Sequence, residues 1–180
     1  MSRQLVERIR SHDQRAMGEL YQRYVGLLSS VCYRYVPSED DVKDVLQNSF
    51  VNIFSAIPTF TYRTDEQFVG WMVRVVVNES LDFLRVRKRL LLTDLRAVET
   101  QIADDEAPDT DPISADQLHR LISELPDGCR TVLNLYVFEG YSHKQIAELM
   151  GIRPTTSATQ LRYAKHLLAN KIKQLISENS

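Results

Sequence analysis

The chain has 180 residues, with 22 basic against 24 acidic side chains, 43% hydrophobic and 26% charged residues. That balance excludes a wholly disordered chain, and no apolar run approaches the roughly 18 residues of a membrane-spanning helix. Its two cysteines, Cys32 and Cys129, sit far apart in apolar segments, which predicts buried thiols in a reducing cytoplasm rather than a disulfide framework or a metal knuckle.

The near-neutral total conceals a partition. Residues 1–92 carry a net charge of +2, residues 93–116 a net −7 and residues 117–180 a net +3. The middle block also holds Pro108 and Pro112 and no aromatic residue. Low hydrophobicity with one-sided charge is the composition of a solvated tether. The expected organisation is two ordered units, 1–92 and 114–180, joined by a flexible acidic linker over 93–113.

Residues 1–10 are amphipathic but lack the apolar stretch of a secretory signal. Asp13 is placed to cap a helix whose apolar stripe is Met17, Leu20, Tyr24, Leu28, Val31 and Tyr35, ended by Pro37. Ser38 caps the next, with Val42, Val45, Leu46, Phe50 and Ile53 on one side and a stop at Pro58. After the loop 59–64, Asp65 caps a long helix over 66–89. Ser114 and Gln117, then Ser142 and Gln145, have capping-box spacing. Asp127 caps the helix between them, which Gly140 closes. Gly151 breaks the short helix after Ser142, and Pro154 opens the last one. A short helix, a glycine-led turn and a longer helix make a helix-turn-helix. The fold class is therefore all-α.

At about 100° per residue, Gln67, Arg74, Asn78, Asp82, Arg85 and Arg89 share an arc of about 80° on an otherwise apolar helix. Arginine is a bidentate donor and asparagine pairs a donor with an acceptor, so the strip suits bases and phosphates. The alternative is a solvated face on which Asp82 neutralises Arg85. Arg85, Arg87, Lys88 and Arg89 weigh toward nucleic acid, because clustered cations are costly without an anionic partner. In the preceding loop, Phe60 reads as core, while Tyr62 and Arg63 are candidates to stack on an unstacked base. On the last helix, Arg153, Thr155, Thr159, Arg162 and His166 are the candidate contacts, since a recognition helix enters the major groove with its first turns. The acidic run from Glu39 to Asp44 complements a helix dipole and has no partner cluster for a metal or acid/base pair. Asp44, Gln47 and Asn48 extend it as a docking face.

Together these residues resemble the extracytoplasmic-function class of bacterial sigma factors over nearly the whole chain. The N-terminal half carries the pattern in Asp13, Ala16, Leu20, Tyr21 and Tyr24, in Asp40, Asp41, Val42, Lys43, Asp44, Val45, Leu46 and Gln47 with Phe50, and in Phe68, Trp71, Arg74, Asn78, Asp82, Arg85 and Arg87. The C-terminal half carries it in Leu125, Pro126, Arg130, Glu139, Gly140, Tyr141, Ser142, Gln145, Ile146, Ala147, Glu148, Gly151 and Ile152. Departures fall at Ser157, where the family usually has Val, and at Gln160 and Tyr163, where Arg is common.

The resemblance implies a non-catalytic initiation subunit. Asp41, Asp44, Gln47, Asn48 and Val51 would dock on the clamp helices of core RNA polymerase. Tyr62, Arg63, Arg74, Asn78, Asp82, Arg85, Arg87, Lys88 and Arg89 would melt and read the −10 element of promoter DNA, and the helix-turn-helix would read the −35 element. An anti-sigma factor is an expected partner, while no cofactor, metal, small-molecule substrate or membrane insertion is expected. Rival readings are a stand-alone helix-turn-helix regulator and a sigma-like adaptor that binds only protein. A carboxylate metalloenzyme lacks ligand spacing.

Overall fold

The computed structural model describes residues 2–87 and 113–178, and every regular element among them is helical. The chain divides into two compact units, Met1–Phe83 and Leu84–Ser180. Most of the expected tether, 93–113, lies outside the described residues, as do Lys88 and Arg89.

The first unit is assembled from α1 (Ser2–Arg10), α2 (Gln14–Tyr33), α3 (Glu39–Ala56), a 3-10 turn (Ile57–Thr59) and all but the last three residues of α4 (Asp65–Val86). The segment before Asp13 is thus a helix in its own right. Leu5, Val6 and Ile9 recur at helical spacing and are buried, and the Ser2 hydroxyl lies 2.9 Å from the Tyr24 hydroxyl of α2. Asp13 caps α2 as expected, accepting from the amides of Arg15 and Ala16 at 2.9 and 3.3 Å. Arg8 reaches across to Asp13 at 2.8 Å and to Glu19 at 2.8 Å, tying α1 to the start of α2.

Two capping expectations change in this unit. Ser38 occupies the N-cap position of α3 without a side-chain hydrogen bond. For α4 the cap is Thr64: its hydroxyl accepts from the Gln67 amide at 3.2 Å, and Asp65 is already the first helical residue. Sequence spacing allows either residue, but Asp65 is bonded elsewhere, to Tyr62. The helix ends at Val86, three residues short of the expected Arg89. Its inner face, Phe68, Met72, Val76, Val77, Leu81 and Leu84, is almost wholly removed from water. At about 1.5–3 kcal/mol per large apolar side chain, this burial outweighs what helix propensity alone supplies.

The second unit contains α5 (Ala115–Ser123), α6 (Asp127–Val137), α7 (His143–Met150) and α8 (Pro154–Glu178). Both capping boxes form: Ser114 and Ser142 each donate a backbone amide to the glutamine three residues on, at 2.9 Å. Asp127 is not a cap but the first residue of α6, preceded by Pro126. It pairs with Arg130, whose side chain is only 2% exposed and also donates to the carbonyls of Ser123 and Leu125 at 3.1 and 2.8 Å. A buried guanidinium is tolerated here because its donors satisfy carbonyls at the end of α5. Gly151 sits at φ 67°, and the Ile152 amide bonds to the Ala147 carbonyl at 3.1 Å, closing α7 with a left-handed turn. Cys32 and Cys129 are free and buried, and desolvation pushes both thiols up to about 11.

Candidate functional site

The polar strip of α4 forms as a surface. Gln67, Arg74, Asn78, Asp82 and Arg85 are all exposed, whereas Phe68, Met72 and Val76 between them are buried. Arg87 lies one residue beyond the helix and is exposed as well.

At the head of the strip the loop is held by its aromatics. Phe60 lies against Trp71 with ring centroids 4.5 Å apart and against Phe68 at 5.5 Å. Tyr62, a candidate for base stacking, is half-buried: its ring leans on Phe68 at 5.9 Å and its hydroxyl donates to Asp65. That bond, with lesser burial, pushes the phenol up to about 12 and holds Asp65 below the usual carboxylate range. Tyr62 is therefore positioned in advance, and Arg63 beside it is exposed. Arg10 secures the loop from α1, donating to the Ile57 carbonyl at 3.4 Å and to that of Phe60.

On the α2–α3 side, Tyr21, Lys43, Leu46, Gln47, Phe50, Val51 and Phe54 line an open groove of about 450 Å³. Tyr21 packs on Phe50 at 4.7 Å yet remains 47% exposed, and Val51 is 57% exposed. Aromatic walls, an exposed aliphatic residue and a polar rim suit a protein partner better than nucleic acid. Gln47 belongs to its lining, and Asp44 and Asn48 are exposed on the same helix. Asp41, expected on the same face, is instead buried at 7% exposure in the first turn of α3. The acidic first turn meets Lys43, which lies 3.0 Å from Glu39 and 3.5 Å from Asp40.

In the second unit, Arg153, Thr155 and Arg162 are exposed, and Thr159 and His166 partly so. Ser157 and Gln160 face inward instead. The Ser157 hydroxyl lies 2.9 Å from Nδ1 of His143, which stacks on Tyr136 with ring centroids 4.8 Å apart. The first contact joins the two helices of the helix-turn-helix, and the second ties α7 to α6.

The amino-acid pattern matches the family model for Sigma-70 region 2 over residues 20–90 and that for Sigma-70 region 4 over residues 115–168. The ECF RNA polymerase sigma-E factor of Haemophilus influenzae is 30% identical, over 96% of this chain and 95% of its own length. The chain belongs to the extracytoplasmic-function class of sigma-70 factors. The sigma-E factors of Salmonella typhimurium LT2 and Escherichia coli K12 are 31% and 30% identical, each over 96% of this chain and 94% of theirs. Among solved structures, that of CnrH in complex with the cytosolic domain of CnrY covers 99% of this chain and 98% of its own, at a TM-score of 0.49 and 22% identity, too slight a likeness to argue from.

For this sigma factor, the region 2 match takes in α4, the loop and α3 but starts after α1. Arg10 is therefore a contributor that motif spacing does not reveal. The signal available was the amphipathic spacing of Leu5, Val6 and Ile9, which predicts a packed helix but not where its terminal arginine points. Phe54 and Tyr21, which finish the groove, are likewise visible only once α2 and α3 are packed. Among the described residues no helix is long and apolar enough to cross a membrane.

Proposed function

We propose that this sigma factor, which directs RNA polymerase to promoters, divides that work among its surfaces. The α2–α3 groove, with Gln47 and Val51 in its lining, docks on the clamp helices of the largest polymerase subunit, helped by the exposed Asp44 and Asn48 of α3. The loop 58–64 and the α4 strip open the −10 element and hold its unpaired strand, with Arg74 and Asn78 reading bases. Arg85 and Arg87 contact phosphates, joined by Lys88 and Arg89 outside the described residues. The α7–α8 motif reads the −35 duplex. The protein works in the cytoplasm and performs no chemistry on its ligands. An anti-sigma factor restrains it by covering a polymerase-binding face.

One observation carries this reading. A single exposed arc of α4 collects Gln67, Arg74, Asn78, Asp82 and Arg85, and a loop whose aromatics are already fixed stands at its head. Donors of fixed geometry beside preset rings suit a strand with unstacked bases. Transcription with purified core enzyme on a promoter library tests it. Arg74→Ala and Asn78→Ala should each shift the start sites chosen; unchanged promoter selection in both removes the strip from the reading. A stand-alone regulator would instead footprint its sites without polymerase.

A further inference from the structure

The outer arc of α8 is poor in charge and rich in methyl groups. At about 100° per residue, Thr155, Ala158, Thr159 and Arg162 fall together, opposite the buried Ser157, Gln160, Leu161 and Ala164. Thr159 commits its hydroxyl proton to the Thr155 carbonyl at 3.0 Å, which leaves its methyl and only acceptor capacity for a ligand. Thr155 and Ala158 are exposed. Gln160 carries the amide that would suit adenine, yet it is 3% exposed and its Oε1 has no hydrogen-bond partner inside the protein. The first turns of a recognition helix enter the groove deepest. Here they offer three methyl groups, with one guanidinium, Arg162, a turn further on.

Thymine is the base that presents a methyl group in the major groove. We propose that α8 specifies its half-site through thymine methyl groups, met by the methyls of Thr155, Ala158 and Thr159, with Arg162 supplying a single guanine contact. The proposal rests on the reading of α8 as the −35 helix and adds the chemistry by which it discriminates.

The test uses holoenzyme assembled from the full chain and core polymerase. It first selects duplexes from a library randomised across the −35 region. The selected duplexes are then resynthesised with deoxyuridine replacing thymidine, which removes only the methyl group. Neighbouring thymines should be enriched, and each replacement should weaken binding about fourfold, the equivalent of one buried methyl group. Thr159→Ser keeps the hydroxyl bond and lacks the methyl, so at one of those positions it should bind the two duplexes alike. Selected sites without thymine, or uridine duplexes bound as tightly as thymidine ones, overturn the methyl readout while leaving the −35 assignment standing. No sequence enrichment anywhere in the randomised region overturns both.

Discussion

Arg10 and Phe60 are fifty positions apart, and the guanidinium of one donates to the backbone carbonyl of the other. Through it α1, which precedes the region 2 match, fixes the loop that carries Tyr62 and Arg63. Arg10→Ala should free that loop. Trp71, the sole tryptophan of the chain, stacks on Phe60 and reports the change as red-shifted emission and stronger acrylamide quenching. Because the side chain is exposed, the loss in promoter opening should be modest, about fivefold, with core binding unchanged. Arg10→Lys should recover part of it. Unaltered emission in Arg10→Ala would show that the loop holds itself.

The groove prediction is separable from DNA binding. Val51→Asp sets a charge among aromatic walls, and Gln47→Ala removes a rim contact. Each should lower affinity for core polymerase, Val51→Asp by about tenfold or more, without loss of helicity. Equal binding, measured by fluorescence anisotropy against purified core, rules out this face as the docking site.

Arg130 is a stability prediction. Its guanidinium is buried and spreads its donors over two carbonyls and Asp127. Arg130→Ala leaves those groups without partners and should destabilise the second unit by about 3–5 kcal/mol. Urea unfolding followed by circular dichroism should show an early transition, while the Trp71 signal from the first unit keeps its midpoint.

Salt dependence tests the phosphate contacts. The logarithm of holoenzyme affinity for promoter DNA should fall linearly with log salt, and Arg85→Ala and Arg87→Ala should each reduce the slope by roughly one. A slope unchanged in both variants removes these arginines from the phosphate contacts.

Asp13 gives a pH signature. The Arg8 hydrogen bond first, then the Ala16 and Arg15 amides, hold its carboxyl below the usual value of 3.8. A depressed folded-state pKa means the stabilisation is fully present above the unfolded value and is lost as pH falls through the folded one. Acid titration of the wild type should therefore carry a destabilising component below about pH 4, which Asp13→Asn should lack.

The helices were legible because their signals are local. The Asp13 cap, the Ser114 and Ser142 boxes and the Gly151 turn each lie within a few residues of the groups they satisfy. The polar arc of α4 was legible for the same reason, since helical period alone places Arg74 near Asn78. What the sequence could not show depends on packing between elements. Asp41 and Asp44 are both acidic early residues of α3, and only the approach of its neighbours buries one and leaves the other in water. Thr64 and Asp65 are both competent caps, and the choice turns on Tyr62 claiming the carboxylate. Gln160 faces inward because α8 turns that side toward the body of its unit, a rotation set by Leu161 and Ala164.

The inward and outward halves of α8 share no side chains. Residues that hold the helix in place can therefore persist while those on the far side are exchanged. On the proposed −35 reading of α8, promoter preference is free to drift through duplication and divergence with little penalty to folding. A lineage that copied this gene could address new regulons by altering three or four exposed positions, much as a lock is rekeyed without replacing its case.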